Sequence, residues 1–333
     1  MIESGLVSNF WQQLRASHPE GFCGLSPMDG VTDLPMRLMT AKHGGPDVMF
    51  TEFTNVEGWQ RGAAVLRKQL WVWPEQEGKV VAQLYGLKPE NFRAVAAEIK
   101  TWGFAGIDLN MGCPAKNVAL NGAGAGLIRN KALAQEIYLA TKEGAGELPV
   151  SIKTRLGYDR PEILEWLGWV VEKLRPAALT VHGRTYRQGY DGQADWKAIG
   201  RAAQLTAQIS PETVVIGNGD LQNRLDTQQR CQEFGIAGGL IGRASMGLPW
   251  VFQADGVVTA TKRLQVAIEH AQLYEDLFKD SPKYSFLPLR KHLAWYSKGF
   301  PGASELRVVL TQTNSAAEVT QLLWELIEKL SKV

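Results

Sequence analysis

Short apolar runs punctuate the first two-thirds of the chain, and helix-length segments of mixed polarity separate them. Eight such runs can be traced: "FCGLSP", "VMFTEF", "VVAQLYG", "GIDLN", "VSIKTR", "ALTVHGR", "TVVIGNGD" and "GGLIGR", the last ending near Arg243. Most are continuously apolar rather than alternating, as strands must be when helices cover both faces of a parallel sheet. Eight such βα units over about 230 residues are the load of a (β/α)8 TIM barrel, with a doubly wound open sheet as the alternative. From Lys262 onward the spacing becomes helical. Leu264, Ala267, Ile268, Ala271, Tyr274, Leu277 and Phe278 share one face, and a second helix carries Leu289, Leu293 and Tyr296. A third helix starts at the capping box Ser315-x-x-Glu318 and is expected to bury Val319, Leu322, Leu326 and Leu330. The expected organisation is a barrel over residues 1–255, with a short amphipathic lead-in at 1–20, followed by a small C-terminal helical bundle domain over 256–333.

Composition narrows the class without naming a function. The chain has 333 residues, 45% hydrophobic and 21% charged, enough for one large domain and a smaller one. No stretch approaches the roughly 20 apolar residues of a membrane span. The N-terminus lacks the basic start and apolar core of a signal peptide, so a cytoplasmic protein without membrane contact is expected; a monomer is expected separately, with the oligomeric state left open by the sequence. Cys23, Cys113 and Cys231 are odd in number and widely spaced, which offers neither a disulfide framework nor a CxxC metal site. A net charge of +2 favours no partner by itself, and any nucleic-acid contact must come from a local patch.

The residues at the C-terminal end of each run matter most, because that rim is where a barrel builds its chemistry. They are Pro27-Met28-Asp29, Glu52, Gln83, Asn110 with Cys113, Lys153 with Arg155, His182 with Arg184, Asn218-Gly219-Asp220, and Gly242-Arg243. The last two runs put glycines where a backbone can approach a ligand closely, after the strands whose loops usually cradle phosphate, and Arg243 adds a fixed charge. With Lys153 and His182 on the same rim, a phosphate-bearing ring cofactor accounts for the set better than tight turns alone. By position alone Cys113 reads equally as a small buried apolar residue or as a reacting thiol. Cys23 and Cys231 stand at no such end, and the role of Glu52 stays open.

The blocks "SPMDGVTD", "VAQLYG", "DLNMGCPAKNV", "GAGAGL", "IKTRLGYD", "VHGRTYRQGY", "IGNGD", "IGRASMGLPW" and "LRKHLAWYSKG" resemble those of the tRNA-dihydrouridine synthases, in the family's order, over nearly all of residues 22–300. "SPM" stands where "APM" is common in the family, a change that leaves the backbone role of the loop intact. The resemblance implies an FMN-bound barrel and a helical domain, reducing selected uridines in tRNA with NADPH as a transient reductant. It implies that Cys113 is the general acid, since a thiol with a pKa near 8.5 is largely protonated at neutral pH. It further implies that Gln83 and Lys153 hydrogen-bond the flavin ring, that Pro27, Met28 and Asp29 line its edge, and that His182, Asn218, Gly219, Asp220, Gly242 and Arg243 hold ring or phosphate. Asn110 would orient the substrate uracil, while Arg155 and Arg184 could meet either FMN phosphate or RNA.

A uracil must leave its stack to reach a barrel mouth, so the protein has to grip RNA elsewhere. "LRKHLAWYSKG" interleaves Arg290, Lys291, His292 and Lys298 with Trp295 and Tyr296, a combination suited to phosphate contact and stacking. "YRQGYDGQADW" (186–196) reads as a mobile loop over the site. A flavin barrel acting on a small pyrimidine, and a tRNA-binding module without catalysis, are the rival functions.

Overall fold

The computed structural model describes residues 8–62, 64–254 and 258–330. All eight apolar runs form strands: β1 (Phe22–Leu25), β2 (Val48–Asn55), β3 (Val80–Tyr85), β4 (Gly106–Met111), β5 (Val150–Arg155), β6 (Ala178–His182), β7 (Val214–Asn218) and β8 (Gly238–Ile241). Each pairs in parallel with the next, and β8 returns to β1 in the register Phe22↔Gly238 to Leu25↔Ile241. The sheet is therefore a closed barrel, which excludes the doubly wound alternative. Residues covered on both faces explain the continuous apolar runs, since β3, β4 and β7 are buried at nearly every position.

The lead-in helix Phe10–Ser17 begins at a capping box built by Asn9 and Gln12. It drives Trp11, fully buried, against Phe22 and Phe50 at ring distances of 6.3 and 6.0 Å. That apolar plug closes the N-terminal end of the barrel and leaves the C-terminal end for chemistry. Cys23 and Cys231 are buried, and burial pushes both thiols up to about 12, as expected of structural cysteines. Among the described residues no helix is long and apolar enough to cross a membrane.

Beyond the barrel, the described residues form four helices rather than the expected three: Ala260–Phe278, Leu287–Tyr296, Ala303–Leu310 and Ala316–Leu330. The extra one, Ala303–Leu310, is only two turns long and follows Pro301-Gly302, so its periodicity is too brief to stand out. In the last helix the buried stripe is Val319, Leu323 and Ile327, while Leu322 and Leu326 are half-buried and the side chain of Leu330 lies outside the described residues. Adjacent leucines left two stripes open, and packing against Ala260–Phe278 selects the one with a strict four-residue step. Half of the capping box forms: Ser315 Oγ accepts from Glu318 N at 3.2 Å, but the Glu318 carboxylate accepts from Asn314 N at 2.8 Å. The helices share a core that also takes in Met39 and Trp250 from the barrel side. The expected boundary at 255/256 lies outside the described residues.

His292 faces this core instead of solvent, edge-on to buried His270 at 5.0 Å. His270 Nδ1 meets the Tyr296 hydroxyl at 3.2 Å, while among the described residues neither ring nitrogen of His292 has a hydrogen-bond partner. Burial holds His270 down to about 3 and His292 well below the ordinary imidazole range. Both groups bind protons more readily when unfolded, so stability is lost as pH falls below the unfolded pKa of about 6.5. Replacing His292 with leucine is expected to raise melting temperatures between about pH 4 and 6 while leaving those near pH 8 almost unchanged, read by thermal unfolding across that range.

Candidate active site

The C-terminal ends of the strands open on a cavity of about 930 Å3. It gathers Pro27, Met28 and Asp29 after β1, Gln83 on β3, Asn110 and Cys113 on and beyond β4, and Lys153 and Arg155 on β5. His182 from β6, Asn218, Gly219 and Asp220 from the end of β7, and Gly242 and Arg243 after β8 complete the wall. From β2 comes Phe53 rather than Glu52. The buried Glu52 carboxylate instead accepts from Gly30 N at 2.6 Å, supporting the loop after β1 from behind, and burial pushes it up to about 7.

On the thiol side, Asn110 Oδ1 accepts from the backbone N–H groups of Gly112 (3.1 Å) and Cys113 (2.8 Å), which folds the chain sharply after β4. Gly124 lies against this turn at φ +55, and a Cβ there would stand 3.0 Å from Cys113 Cβ, so only glycine fits without displacing the loop. Burial raises the Cys113 pKa, with the Ala115 amide and Arg155 opposing, so the group remains a thiol at neutral pH. Behind it stands Asp108, completely buried within the apolar strand β4 and not foreseen from the sequence. Gln83 Nε2 donates to Asp108 at 2.7 Å, and Gln83 Oε1 accepts from Asn110 Nδ2 at 3.0 Å.

The other wall is cationic. Lys153, half-buried and lining the cavity, donates through Nζ to Asn218 Oδ1 at 2.9 Å, and Asn218 is itself fixed by its bond to Leu240 O at 2.7 Å. Burial, then neighbouring Arg155, lowers Lys153 to about 8. His182 is held well below its usual range by burial and then by Arg155, Lys153, Arg184 and Arg243, so it is neutral at this rim. Gly219 adopts φ +123 and packs so closely that a Cβ would stand 2.7 Å from Ala194. Among the described residues the backbone N–H groups of Gly219, Arg243 and Ala244 donate to no protein acceptor.

The two undecided arginines separate. Arg184 is buried and does not line the cavity; it pairs with Asp220 at 2.7 Å and donates to the carbonyl of Asp191 at 3.1 Å and to that of Gly192. Arg155 does line it, yet its guanidinium also binds Gly112 O (2.7 Å), Thr185 O (3.0 Å) and Gly189 O (2.8 Å). Both pin the 186–196 loop, whose Tyr190 stands over the cavity with Arg155 and Arg243 at 5.7 and 5.3 Å from its ring. Tyr190 was within reach of sequence reasoning as the aromatic tip of a glycine-bearing loop. Asp220 binds Arg184, Arg243 and Ala194 N together, so its carboxylate organises the wall from within.

Arg290, Lys291 and Lys298, on and just beyond the helix Leu287–Tyr296, do not line the cavity. Arg290 is occupied by Thr313 O (2.8 Å), Gln312 O (3.2 Å) and Asn314 (2.6 Å). Lys291 reaches the barrel, its Nζ 2.8 Å from where a Cβ on Gly30 would be, close enough to lower the carboxyl pKa values of Asp29 and Asp33 against their burial. Lys298 is exposed.

The family described as "Dihydrouridine synthase (Dus)" matches residues 24–331. The "Probable tRNA-dihydrouridine synthase 2" of Bacillus subtilis (strain 168) is 38% identical over 323 residues, spanning 96% of this chain and 96% of that one. The "Probable tRNA-dihydrouridine synthase" of Staphylococcus epidermidis (strain ATCC 35984) is 40% identical over 322 residues, again spanning 96% of each. Among solved structures, that of morphinone reductase in complex with tetrahydroNAD superposes with a TM-score of 0.47 at 12% identity, over 71% of this chain and 87% of that one, too slight a likeness to add to the barrel already described.

Proposed function

The chain belongs to the dihydrouridine synthase family, and from that premise we propose that it reduces the C5–C6 double bond of uridines in tRNA to 5,6-dihydrouridine, using FMN in the barrel mouth and NADPH as reductant. The observation that carries the reading is a single cavity joining a protonated thiol after β4 to a cationic wall from β5 to β8.

FMN fits that wall. The Lys153 ammonium has one protein acceptor among the described residues and room for a ring oxygen or nitrogen; the free amides of Gly219, Arg243 and Ala244, with the Arg243 guanidinium, suit a phosphate. Gln83, His182 and the backbone of Pro27, Met28 and Asp29 would complete its seat, with Asn218 steadying Lys153 and Asp220 steadying Arg243. When bound, the flavin supplies the hydride. Cys113 would deliver the proton to the other carbon, and its raised pKa keeps the thiol protonated until it does. Asn110 retains one N–H beyond its bond to Gln83 and would orient the uracil; Arg155 would flank it.

The test is colour. Purified protein should be yellow, bleach with NADPH in the absence of air, and recover its absorbance on adding unmodified tRNA. Recovery with free uracil but not with tRNA would transfer the activity to a small pyrimidine.

Arg290, Lys291 and Lys298 are the proposed phosphate contacts on the helical domain. Lys298 is the cleanest probe, because Arg290 also holds the 312–314 turn and Lys291 also meets the barrel rim. The variant Lys298→Gln is expected to reduce the slope of log K for tRNA against log salt by roughly 0.7–0.9. NADPH oxidation with an artificial electron acceptor should be unchanged, and an unaltered slope would remove Lys298 from the interface.

A further inference from the structure

We propose that Asp108 is a positioning residue: its buried carboxylate fixes the direction of a hydrogen-bond relay, through Gln83 and Asn110, that sets where the backbone of Cys113 stands.

Asp108 is neither a wall of the cavity nor part of the apolar packing around it. Gln83 and Ser151 are its direct register partners on β3 and β5, so the three side chains meet in one row inside the barrel. Asp108 Oδ1 accepts from Ser151 Oγ at 2.6 Å and Oδ2 accepts from Gln83 Nε2 at 2.7 Å. A buried carboxylate is costly, and its retention in an apolar strand calls for a reason.

The reason lies in the ambiguity of amides. A glutamine or asparagine side chain can present its oxygen or its NH2 to either side, whereas an ionised carboxylate only accepts. Facing Asp108, Gln83 must turn its NH2 inward, which leaves Oε1 toward Asn110. Asn110 must then give its NH2 to Gln83, which leaves Oδ1 for the N–H groups of Gly112 and Cys113. Reversing any amide would set donor against donor at the next link. Burial pushes Asp108 up to about 6, with Ser151, Gln83 and Lys153 opposing, so the carboxylate form prevails at pH 8.

The catalytic consequence rests on Cys113 being the acid; the relay itself does not. Asp108→Asn can keep the direction, since Oδ1 still accepts from Gln83 while its NH2 donates to Ser151, whose hydroxyl has Ile107 O as an alternative acceptor at 3.5 Å. Asp108→Ala cannot. In the flavin-loaded protein at pH 8, hydrogen exchange by mass spectrometry should show the Gly112 and Cys113 amides exchanging about tenfold faster in Asp108→Ala, with the other strands protected as in the wild type. Single-turnover uridine reduction should fall by about 100-fold in the same variant, as expected for a reacting group displaced by about 1 Å. Asp108→Asn should stay near wild type in both. Unchanged exchange at these amides in Asp108→Ala, a uniform rise across the barrel, or an asparagine variant no better than alanine would overturn the proposal. Faster local exchange in a protein whose wild type reduces no tRNA would uphold the relay and overturn the function.

Discussion

Replacing Cys113 with alanine is expected to lower uridine reduction by about 10²–10⁴-fold, the usual worth of a positioned general acid, while leaving the barrel, the bound flavin and its reduction by NADPH intact. The separation follows from where the thiol stands. Cys113 sits on a turn held by Asn110 through its backbone N–H and backed by Gly124, and its thiol faces the Ala115 amide. Cys113 lines the cavity from the β4 side, and the hydrogen-bonded Lys153–Asn218 pair lines it from β5 and β7. Alanine therefore removes a proton donor and little else. Stopped-flow measurement separates the two half-reactions: flavin bleaching by NADPH should keep its rate, and the return of absorbance on adding tRNA should slow. Cys23→Ala, altering a buried thiol that does not line the cavity, serves as the control. A Cys113→Ala protein that modifies tRNA at a near-normal rate would assign the acid to another group.

Lys153→Met should weaken FMN retention by about 1.5–3 kcal/mol, the worth of a hydrogen bond to a charged group, or about 10–150-fold in affinity. Methionine keeps the stem and discards the ammonium, so the barrel wall is preserved. Arg243→Ala should have a smaller effect, about 1 kcal/mol or less, because its side chain is 56% exposed and shares Asp220 with Arg184. The lysine also gives a pH signature. Burial, followed by Arg155, lowers Lys153 to about 8, so its charge is present below that pH and lost above it. An anionic ligand favours the charged form, and FMN affinity should therefore decline as pH rises through about 8 in the wild type but stay flat in Lys153→Met. Titration of flavin fluorescence between about pH 7 and 9.5 checks both points. Equal affinity in wild type and Lys153→Met would move the flavin contact elsewhere.

The barrel was legible because a parallel strand covered on both faces must be apolar throughout, and the residue that ends each apolar run must then stand at the rim. Gln83, Asn110, Lys153 and His182 all stand at that rim and line the cavity. The pattern is silent where a side chain's direction or partner decides its role. On β2, where the register against β3 shifts between Phe50 and Phe53, it is Phe53 that lines the cavity while Glu52 accepts from Gly30 N, and composition did not say which of the two neighbours enters. Arg184 carries the charge of a phosphate ligand, yet the loop carbonyls and Asp220 claim it, partners up to 36 residues away in sequence. In the helical domain, His292 reads as basic among Arg290, Lys291 and Lys298, but the helix turns it into the core beside His270. Asp108 left the clearest signal that went unused: one acidic residue in the run "GIDLN", a position where burial demands a function.

The most direct measurement is mass analysis of nuclease fragments from unmodified tRNA after incubation with flavin-loaded protein and NADPH. The expected result is a uridine heavier by two hydrogens, formed by the wild-type protein and strongly diminished with Cys113→Ala. NADPH consumed with no change in any tRNA fragment, or dihydrouridine formed equally well by Cys113→Ala, would contradict the reading of this barrel as a thiol-assisted tRNA reductase.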